Sequence, residues 1–118
     1  MLDILRLINN LQRNVPSIIE NDSCSRPILG LNTSMVYNTR PVTFYLCNNE
    51  LLTLPYTSGE TTSETSVFRV ENVTCSSVTV RLLAEQEDGT YINTNEFATI
   101  NIDCVCAIRC LSDTSVSL

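Results

Sequence analysis

Short segments of alternating apolar and polar residues are the feature that most limits the fold of this chain. In "PVTFYLC" (41–47), the apolar residues Val42, Phe44 and Leu46 fall on one face, because successive side chains of a strand point to opposite sides. Similar strand-like segments follow at 50–56, 67–73, 77–86 and 90–93, and a last pair of strands is predicted at 97–103 and 104–110. Turn signals separate them at intervals of about 8–12 residues, which is typical of all-β domains. The pattern predicts an all-β fold, as a β-sandwich or a jelly-roll-like single domain.

Residue types that favour turns lie between these segments. Asn48-Asn49 predicts a tight turn because asparagine tolerates positive φ, and Asp88-Gly89 is a strong hairpin signal. Pro55 places the end of strand 50–56 at a sheet edge. The polar segment 57–66, "TSGETTSETS", predicts a loop.

The first residues follow a helical rather than a strand period. Ile4, Leu7, Ile8 and Leu11 share one face of a helix predicted over 2–14, and Pro16 ends it because proline disfavours helical backbone in the preceding residue. Two interpretations stay open: the helix packs on the β body, or it is an arm that packs on a neighbouring subunit. We predict one domain, 1–118, with a helical arm at 1–15 and a β-sandwich body at 26–113.

The composition excludes several classes of function. The 118 residues carry a net charge of −6, which argues against nucleic acid and anionic membranes as partners. The chain has no His, Lys or Trp, so it lacks a histidine to activate a nucleophile and a lysine for a Schiff base. Glu85 and Glu87 share a strand face, but nothing beside them supplies a matched acid and base. We therefore predict no enzyme activity and no cofactor.

The N-terminus does not read as a targeting segment. "MLDILRLINN" is interrupted by Asp3 and Arg6, whereas a secretory signal needs an uninterrupted apolar run of about 7–15 residues. No run approaches the roughly 18 apolar residues of a transmembrane helix. We therefore expect synthesis in a cytosol, where six cysteines are many for one small protein.

Three of the six cysteines lie close together near the C-terminus, in "INIDCVCAIRC" (100–110). If 99–110 is one straight strand, Cys104, Cys106 and Cys110 share the face of its isoleucines and point into the core. Cys104 and Cys106 would lie too far apart to bond to each other. These two cysteines could fill the core as small apolar groups or form disulfides across strands. Alternatively, all three cysteines could bind a metal ion together with a fourth ligand from a distant loop.

The other three cysteines occupy polar surroundings, in which exposed thiols are expected. Cys24 lies in the loop "ENDSCSRP", Cys47 beside a predicted turn, and Cys75 in the turn "VTCSS". These thiols could have no role, could bond within the chain, or could join one subunit to another. Six cysteines allow fifteen pairings, and the sequence does not choose among them.

Several segments resemble the CotY/CotZ (ExsY-like) family of spore coat and exosporium proteins of bacteria. The resemblance extends through 26–46, 66–73, 78–83 and 99–113. "NTRP" at 38–41 and "CVCAIRCL" at 104–111 are its most specific parts. Cys104, Cys106 and Cys110 match the terminal cysteine motif of the family, and Cys75 falls near a further family cysteine.

The resemblance implies a structural protein of the spore surface, in the coat crust or the exosporium basal layer. Such subunits are made in the mother-cell cytosol without a signal peptide, assemble with copies of themselves as hexamers or extended lattices, become disulfide cross-linked, and anchor other spore coat or exosporium proteins. The alternative is a thiol-based metal-binding or redox module that uses Cys104, Cys106 and Cys110.

Two sets of residues follow as candidates. The disulfide or cross-link candidates are Cys24, Cys47, Cys75, Cys104, Cys106 and Cys110. The oligomer interface candidates are Ile4, Leu7, Ile8, Leu11, Arg26 and Arg40. Arginine suits ion pairs at interfaces, so Arg26, Arg40, Arg69 and Arg81 are also expected either to pair with Glu60, Glu64 or Glu71 of another copy or to remain solvated.

Overall fold

The computed structural model describes residues 1–12 and 38–118, and these form an all-β protein with one short N-terminal helix, as predicted. A single 3-10 turn, Ile102–Cys104, links the last two strands. The helix and strands in chain order are α1 (Leu2–Leu11), β1 (Val42–Leu46), β2 (Leu54–Ser58), β3 (Thr61–Thr65), β4 (Phe68–Val73), β5 (Ser77–Glu85), β6 (Tyr91–Asn101) and β7 (Val105–Cys110).

Five of the strands form one antiparallel sheet in the order β6-β5-β4-β1-β7, and β2 with β3 forms a separate hairpin. The β4–β5 and β5–β6 ladders are long, whereas β1 and β4 pair only at Val42 and Phe68. From that one pair the two strands run in opposite directions. The sheet is therefore splayed at the junction between β1 and β4.

The connection between β6 and β7 shows that the sheet curls on itself. These two strands are the edges of the sheet, yet only three residues separate Asn101 from Val105. In a flat sheet, four strand spacings of about 4.8 Å would separate them by about 19 Å. Four Cα–Cα steps of about 3.8 Å cover at most about 15 Å. The two edges are thus brought together at the 3-10 turn.

The inside of the curled sheet and one face of α1 share a hydrophobic core. The helix contributes Leu5, Ile8 and Leu11, which are buried, while Ile4 and Leu7 are only half-buried. Burial of each such side chain stabilises the fold by about 1.5–3 kcal/mol. The other buried residues of this cluster are Ile102 of the 3-10 turn and, in the sheet, Val42, Phe44, Phe68, Val70, Val78, Val80, Leu82 and Val105.

The packing of α1 settles how the N-terminal pattern is to be understood. The interpretation of a helix packed on the body is confirmed, since α1 lies against β4 and Gln12 Nε2 donates a hydrogen bond to the Val70 carbonyl at 2.6 Å. The sequence pattern missed Leu5, which is fully buried. The end of the predicted helix, beyond Gln12, lies outside the described residues.

Two segments differ from the prediction. The segment 57–66 is largely the β2–β3 hairpin rather than a loop, with Gly59 at φ 62° in its turn. The predicted strand 50–56 bridges β1 at one pair only, Tyr45 and Leu51. Both turn predictions are confirmed: Asn49 has φ 69° and Gly89 has φ 86°.

Candidate functional site

Two breaks in the strand pattern decide where the C-terminal cysteines point. The first is the 3-10 turn, where Asn101 Oδ1 accepts a hydrogen bond from the Asp103 N–H at 3.0 Å. The second is a β-bulge: Leu46 pairs with Val105 and Tyr45 pairs with Ala107, so the residue between them has no partner in the β1–β7 ladder. A bulge moves the side chains that follow it to the other face.

These breaks overturn the prediction of three core thiols on one straight strand. Cys104, at the end of the turn, and Cys106, at the bulge, are both exposed. Val105 between them is buried. The predicted phase returns only after the bulge, where Ile108 and Cys110 are half-buried against the core.

Cys47 and Cys106 form a disulfide that joins the end of β1 to the start of β7. Their Cα atoms lie 4.9 Å apart, within the usual range for a disulfide. Both residues are exposed. The Cys47 sulfur also contacts the backbone carbonyl oxygens of Asp103 and Cys104, at 4.0 and 3.9 Å. A disulfide sulfur carries no proton, so these are packing contacts rather than hydrogen bonds.

Cys75 and Cys104 are free and exposed. Cys75 lies in the β4–β5 turn, and the carbonyl of the next residue, Ser76, accepts a hydrogen bond from the Ile102 N–H at 3.0 Å. The β4–β5 turn therefore touches the same 3-10 turn that carries Cys104. We call Cys47, Cys75, Cys104 and Cys106, with this turn, the cysteine corner.

The prediction of an exposed thiol is confirmed for Cys75, and Cys47 is exposed but bonded. Cys110 is disulfide-bonded as well. Cys24 lies outside the described residues. A cross-strand disulfide was one of the alternatives for Cys106, and this is the one found.

The observed bonding does not fit a metal site built from Cys104, Cys106 and Cys110. A zinc ligand is a thiolate, and the sulfurs of Cys106 and Cys110 are held in disulfides. Among residues 1–12 and 38–118, no group of three or more Cys, Asp and Glu side chains has a geometry that could hold a metal ion.

A second polar cluster lies where β1 and β4 begin. Arg40 is 1% exposed, and its Nε donates a hydrogen bond to Asp113 Oδ1 at 2.9 Å. The Arg40 N–H donates to Gln12 Oε1 at 3.1 Å. Arg69, also buried, donates from Nε to Thr39 Oγ1 at 3.0 Å. We call Asn38, Thr39, Arg40, Arg69 and Asp113 the arginine corner.

The arginine corner also fixes the C-terminal segment of the chain. Thr39 and Thr114 exchange two backbone hydrogen bonds, at 3.0 and 2.9 Å. Asn38 Nδ2 donates to the Val116 carbonyl at 2.9 Å, and the Val116 N–H donates to Asn38 Oδ1 at 3.1 Å. The "NTRP" segment thus holds residues more than 70 positions later in the chain, which is a structural role.

The structure changes the set of interface candidates. Ile8 and Leu11 are buried on the body of their own subunit, and Arg40 is enclosed with Asp113. These three side chains are removed from the set because they offer no surface to a partner. Ile4 and Leu7 stay as half-buried candidates, and Arg26 lies outside the described residues.

The arginines expected to reach Glu71 of another copy reach it within the chain. Arg69 Nη1 bonds to Glu71 Oε2, and Arg81 Nε lies 3.5 Å from the same oxygen. Glu60 and Glu64 are exposed on the β2–β3 hairpin. The observed ion pairs of Arg69 and Arg81 are therefore intramolecular.

An exposed aromatic residue on β6 escaped the sequence analysis. Phe97 is 52% exposed, and the Arg81 guanidinium lies 4.7 Å from the centre of its ring. Ile92, on the same strand, is 50% exposed. The alternation along the strand could have identified it: Phe97 is three positions before Ile100, so the two side chains point to opposite faces, and Ile100 packs on the core.

The fold and the site together define a cysteine-rich, all-β protein with an intramolecular disulfide. No protein-family model matches the chain, and neither a curated protein nor a solved structure is significantly similar to it. The only helix within 1–12 and 38–118, α1, is too short to cross a bilayer.

Proposed function

We propose that this protein is a structural subunit of a bacterial spore outer layer, the coat crust or the exosporium basal layer. Copies assemble side by side into a hexameric or extended lattice, and disulfides between thiols of neighbouring copies then lock the lattice. Other coat or exosporium proteins attach to it. The subunit is made in the mother cell and has no catalytic role.

The resemblance of "NTRP" and "CVCAIRCL" to the CotY/CotZ family is the first support for this proposal. Both segments lie at positions that organise the fold. Arg40 of the first forms the buried ion pair with Asp113, and Cys106 of the second forms the disulfide with Cys47. The segments that carry the resemblance are thus also the ones that hold the body together.

The pair of exposed free thiols, Cys75 and Cys104, is the single observation that carries the proposal. Exposed thiols are a liability in an ordinary cytosolic protein because they react with one another. In a subunit that is joined covalently to its neighbours, they are the reactive groups. Each intermolecular bond converts two thiols into one disulfide, and an oxidant such as molecular oxygen or a small disulfide accepts the two electrons.

The two free thiols within residues 1–12 and 38–118 also set how far cross-linking extends. A subunit with one reactive thiol can form only a covalent dimer, whereas a subunit with two can join a chain of copies. Cys75 and Cys104 lie on different segments, the β4–β5 turn and the 3-10 turn. Each thiol forms one bond, so a subunit that uses both can be joined to two neighbours.

The non-covalent contacts of the lattice are assigned to the edge strand β6. Within the described residues β6 is an edge strand that pairs only with β5, so its other side is the candidate for pairing with a strand of another copy. An open edge of this kind is a template for pairing with a second chain. Ile92 and Phe97 supply exposed apolar surface there, and half-buried Ile4 and Leu7 on α1 supply more.

The test compares wild-type protein with Cys75→Ser, Cys104→Ser and the double variant, oxidised in parallel. On denaturing gels without reductant, we expect a ladder for wild type, mainly dimers for each single variant, and monomers for the double variant. Negative-stain electron microscopy of all four should show the same assemblies, because the thiols lock the lattice and do not form it.

Reductant provides the control, since it should collapse every ladder to monomer and leave the assemblies visible by microscopy. An unchanged ladder in the double variant would overturn the assignment of these two thiols. Monodisperse single subunits at high concentration under oxidising conditions would overturn self-assembly itself.

A further inference from the structure

We propose that Cys47, Cys104 and Cys106 of the cysteine corner form an internal thiol–disulfide exchange site, in which Cys104 competes with Cys106 for the sulfur of Cys47. The disulfide then alternates between Cys47–Cys106 and Cys47–Cys104. The exchange takes place within one subunit and needs no second copy. It uses the Cys104 thiol that the proposed cross-linking also uses, but it does not require assembly.

The position of the Cys47 sulfur is the first ground. It lies 3.9 Å from the carbonyl oxygen of Cys104, that is, against the backbone of the free cysteine. The Cα of a residue is about 2.4 Å from its own carbonyl oxygen by standard bond lengths. The Cα of Cys104 is therefore at most about 6.3 Å from the Cys47 sulfur. The sulfur of a cysteine lies about 2.8 Å from its own Cα by standard bond geometry, and an S–S bond adds about 2.05 Å. A shift of the turn by at most roughly 2 Å therefore brings the Cys104 sulfur within bonding distance of the Cys47 sulfur.

The β-bulge is the second ground, and it is independent of the first. Cys106 is the residue that has no partner in the β1–β7 ladder, since Val105 and Ala107 pair with adjacent residues of β1. Its side chain can turn away from Cys47 without breaking a ladder hydrogen bond. Bulges are sites where a strand re-aims a side chain.

Access is the third ground. Cys47, Cys104 and Cys106 are all exposed, so a thiolate reaches the disulfide without opening the core. Val105 is buried between the two competing cysteines and anchors the segment while they exchange. Exchange between a thiolate and a disulfide requires this access as well as a deprotonated attacking sulfur.

The step is balanced without an added oxidant. Cys104 loses its proton to water, and its thiolate attacks the Cys47 sulfur. A Cys104–Cys47 bond forms as the Cys47–Cys106 bond breaks, and Cys106 leaves as a thiolate that takes up a proton. One thiol and one disulfide are present before and after, so no net oxidation or reduction occurs. The free thiol moves by two residues along the chain.

The test uses purified full-length protein, with N-ethylmaleimide as the thiol probe and mass spectrometry of the peptide that begins at Asp103. We expect the label on Cys104 in part of the molecules and on Cys106 in the rest. Molecules labelled at Cys106 should carry a Cys47–Cys104 disulfide. In Cys106→Ser, oxidised glutathione should drive formation of that same disulfide.

Two matched variants isolate the exchange. Cys104→Ser should lose the label on Cys106, because the attacking sulfur is gone. Cys75→Ser should leave the label on Cys106 unchanged, because its thiol is not part of the step. The yield of Cys106 label should not depend on protein concentration, since the reaction is intramolecular.

Three results would overturn the proposal. They are the absence of label on Cys106 after long incubation, a Cys106 label that persists in Cys104→Ser or rises with protein concentration, and Cys106→Ser protein in which Cys47 and Cys104 both stay free after oxidation. If no ladder forms but the Cys106 label appears, only the proposed cross-linking is contradicted. If the ladder forms but Cys106 is never labelled, only the exchange is contradicted.

Discussion

The arginine corner and the cysteine corner lie at opposite ends of β1, and they treat reactive or charged side chains in opposite ways. At the arginine corner, the guanidinium of Arg40 and the carboxylate of Asp113 are buried against each other. At the cysteine corner, two free thiols and a disulfide are all exposed. The charged groups at one end of β1 are buried, and the thiols at the other end are exposed to solvent.

The two corners contribute differently to stability and to reactivity. A buried ion pair costs desolvation, so it adds little net stability, but removal of one partner is severe. An exposed thiol contributes little to folding and can be replaced freely. The arginine corner therefore helps to specify the fold, whereas the thiols of the cysteine corner are accessible to react.

The largest effect on stability is expected from replacing Asp113 of the arginine corner, and Asp103 of the cysteine corner is its matched control. Asp113→Ala removes the carboxylate that accepts a hydrogen bond from the buried Arg40, and breaking a buried pair of this kind should lower the free energy of unfolding by about 3–5 kcal/mol. Asp103→Ala, at the exposed corner, should change it by less than about 0.5 kcal/mol. Urea unfolding of both variants measures the difference. Equal losses would show that the two corners do not differ as described.

The disulfide should give the next largest effect. Cys47→Ser opens a link between residues 59 positions apart, and should lower the free energy of unfolding by about 2–4 kcal/mol. Cys106→Ser should lose less under oxidising conditions, because Cys104 can bond to Cys47 in its place. Reductant should abolish the difference between both variants and wild type, and Cys75→Ser is the control that should match wild type throughout.

Phe97 should give a smaller effect. Its ring is half exposed above the mostly buried Arg81 side chain, so Phe97→Ala should cost about 1 kcal/mol. The same variant should weaken assembly by more than this loss of stability implies, if β6 is the lattice edge. Phe97→Tyr keeps the ring and should preserve both properties. Sedimentation and thermal unfolding measured together separate the two effects, and unchanged assembly in Phe97→Ala would exclude this residue from the lattice contacts.

The smallest effect is expected at Asp88, which lies in the β5–β6 turn and belongs to neither corner. The hydroxyl of Thr90 donates a hydrogen bond to Asp88 at 2.6 Å, and this bond, with one from the Thr90 backbone, lowers the pKa of Asp88 below its ordinary value. Stability from this turn is therefore present above the ordinary pKa and is lost as pH falls through the lowered value. In Thr90→Val, a carboxyl NMR titration should place the pKa of Asp88 nearer its ordinary value. An unchanged pKa would show that the hydroxyl has no part in the shift.

Much of the main sheet could be predicted because its strands bury one face. Alternation identified β1, β4 and β5, and asparagine and glycine marked the turns that close at Asn49 and Gly89. The β2–β3 hairpin was not predicted beyond Tyr56, because the strand residues that follow are polar and, apart from Thr65, exposed, while only Leu54 and Tyr56 of β2 pack on the core. Polar strands of this kind leave no periodic signal.

The site could be predicted only in part. The exposure of Cys75 follows from its place in a polar turn. The exposure of Cys104 and Cys106 depends on a 3-10 turn and a bulge, and a count of alternating residues cannot place either break. The Arg40–Asp113 pair joins residues 73 positions apart, and only the packing of the sheet brings them together.

The disulfide beside Cys104 has a mechanical consequence. A pull applied to the sulfur of Cys104 passes through Val105 to Cys106 and then crosses the covalent link to Cys47. From there it enters β1, which lies inside the sheet between β4 and β7. The load therefore reaches the interior of the sheet without first peeling the outer strand away, one hydrogen bond at a time.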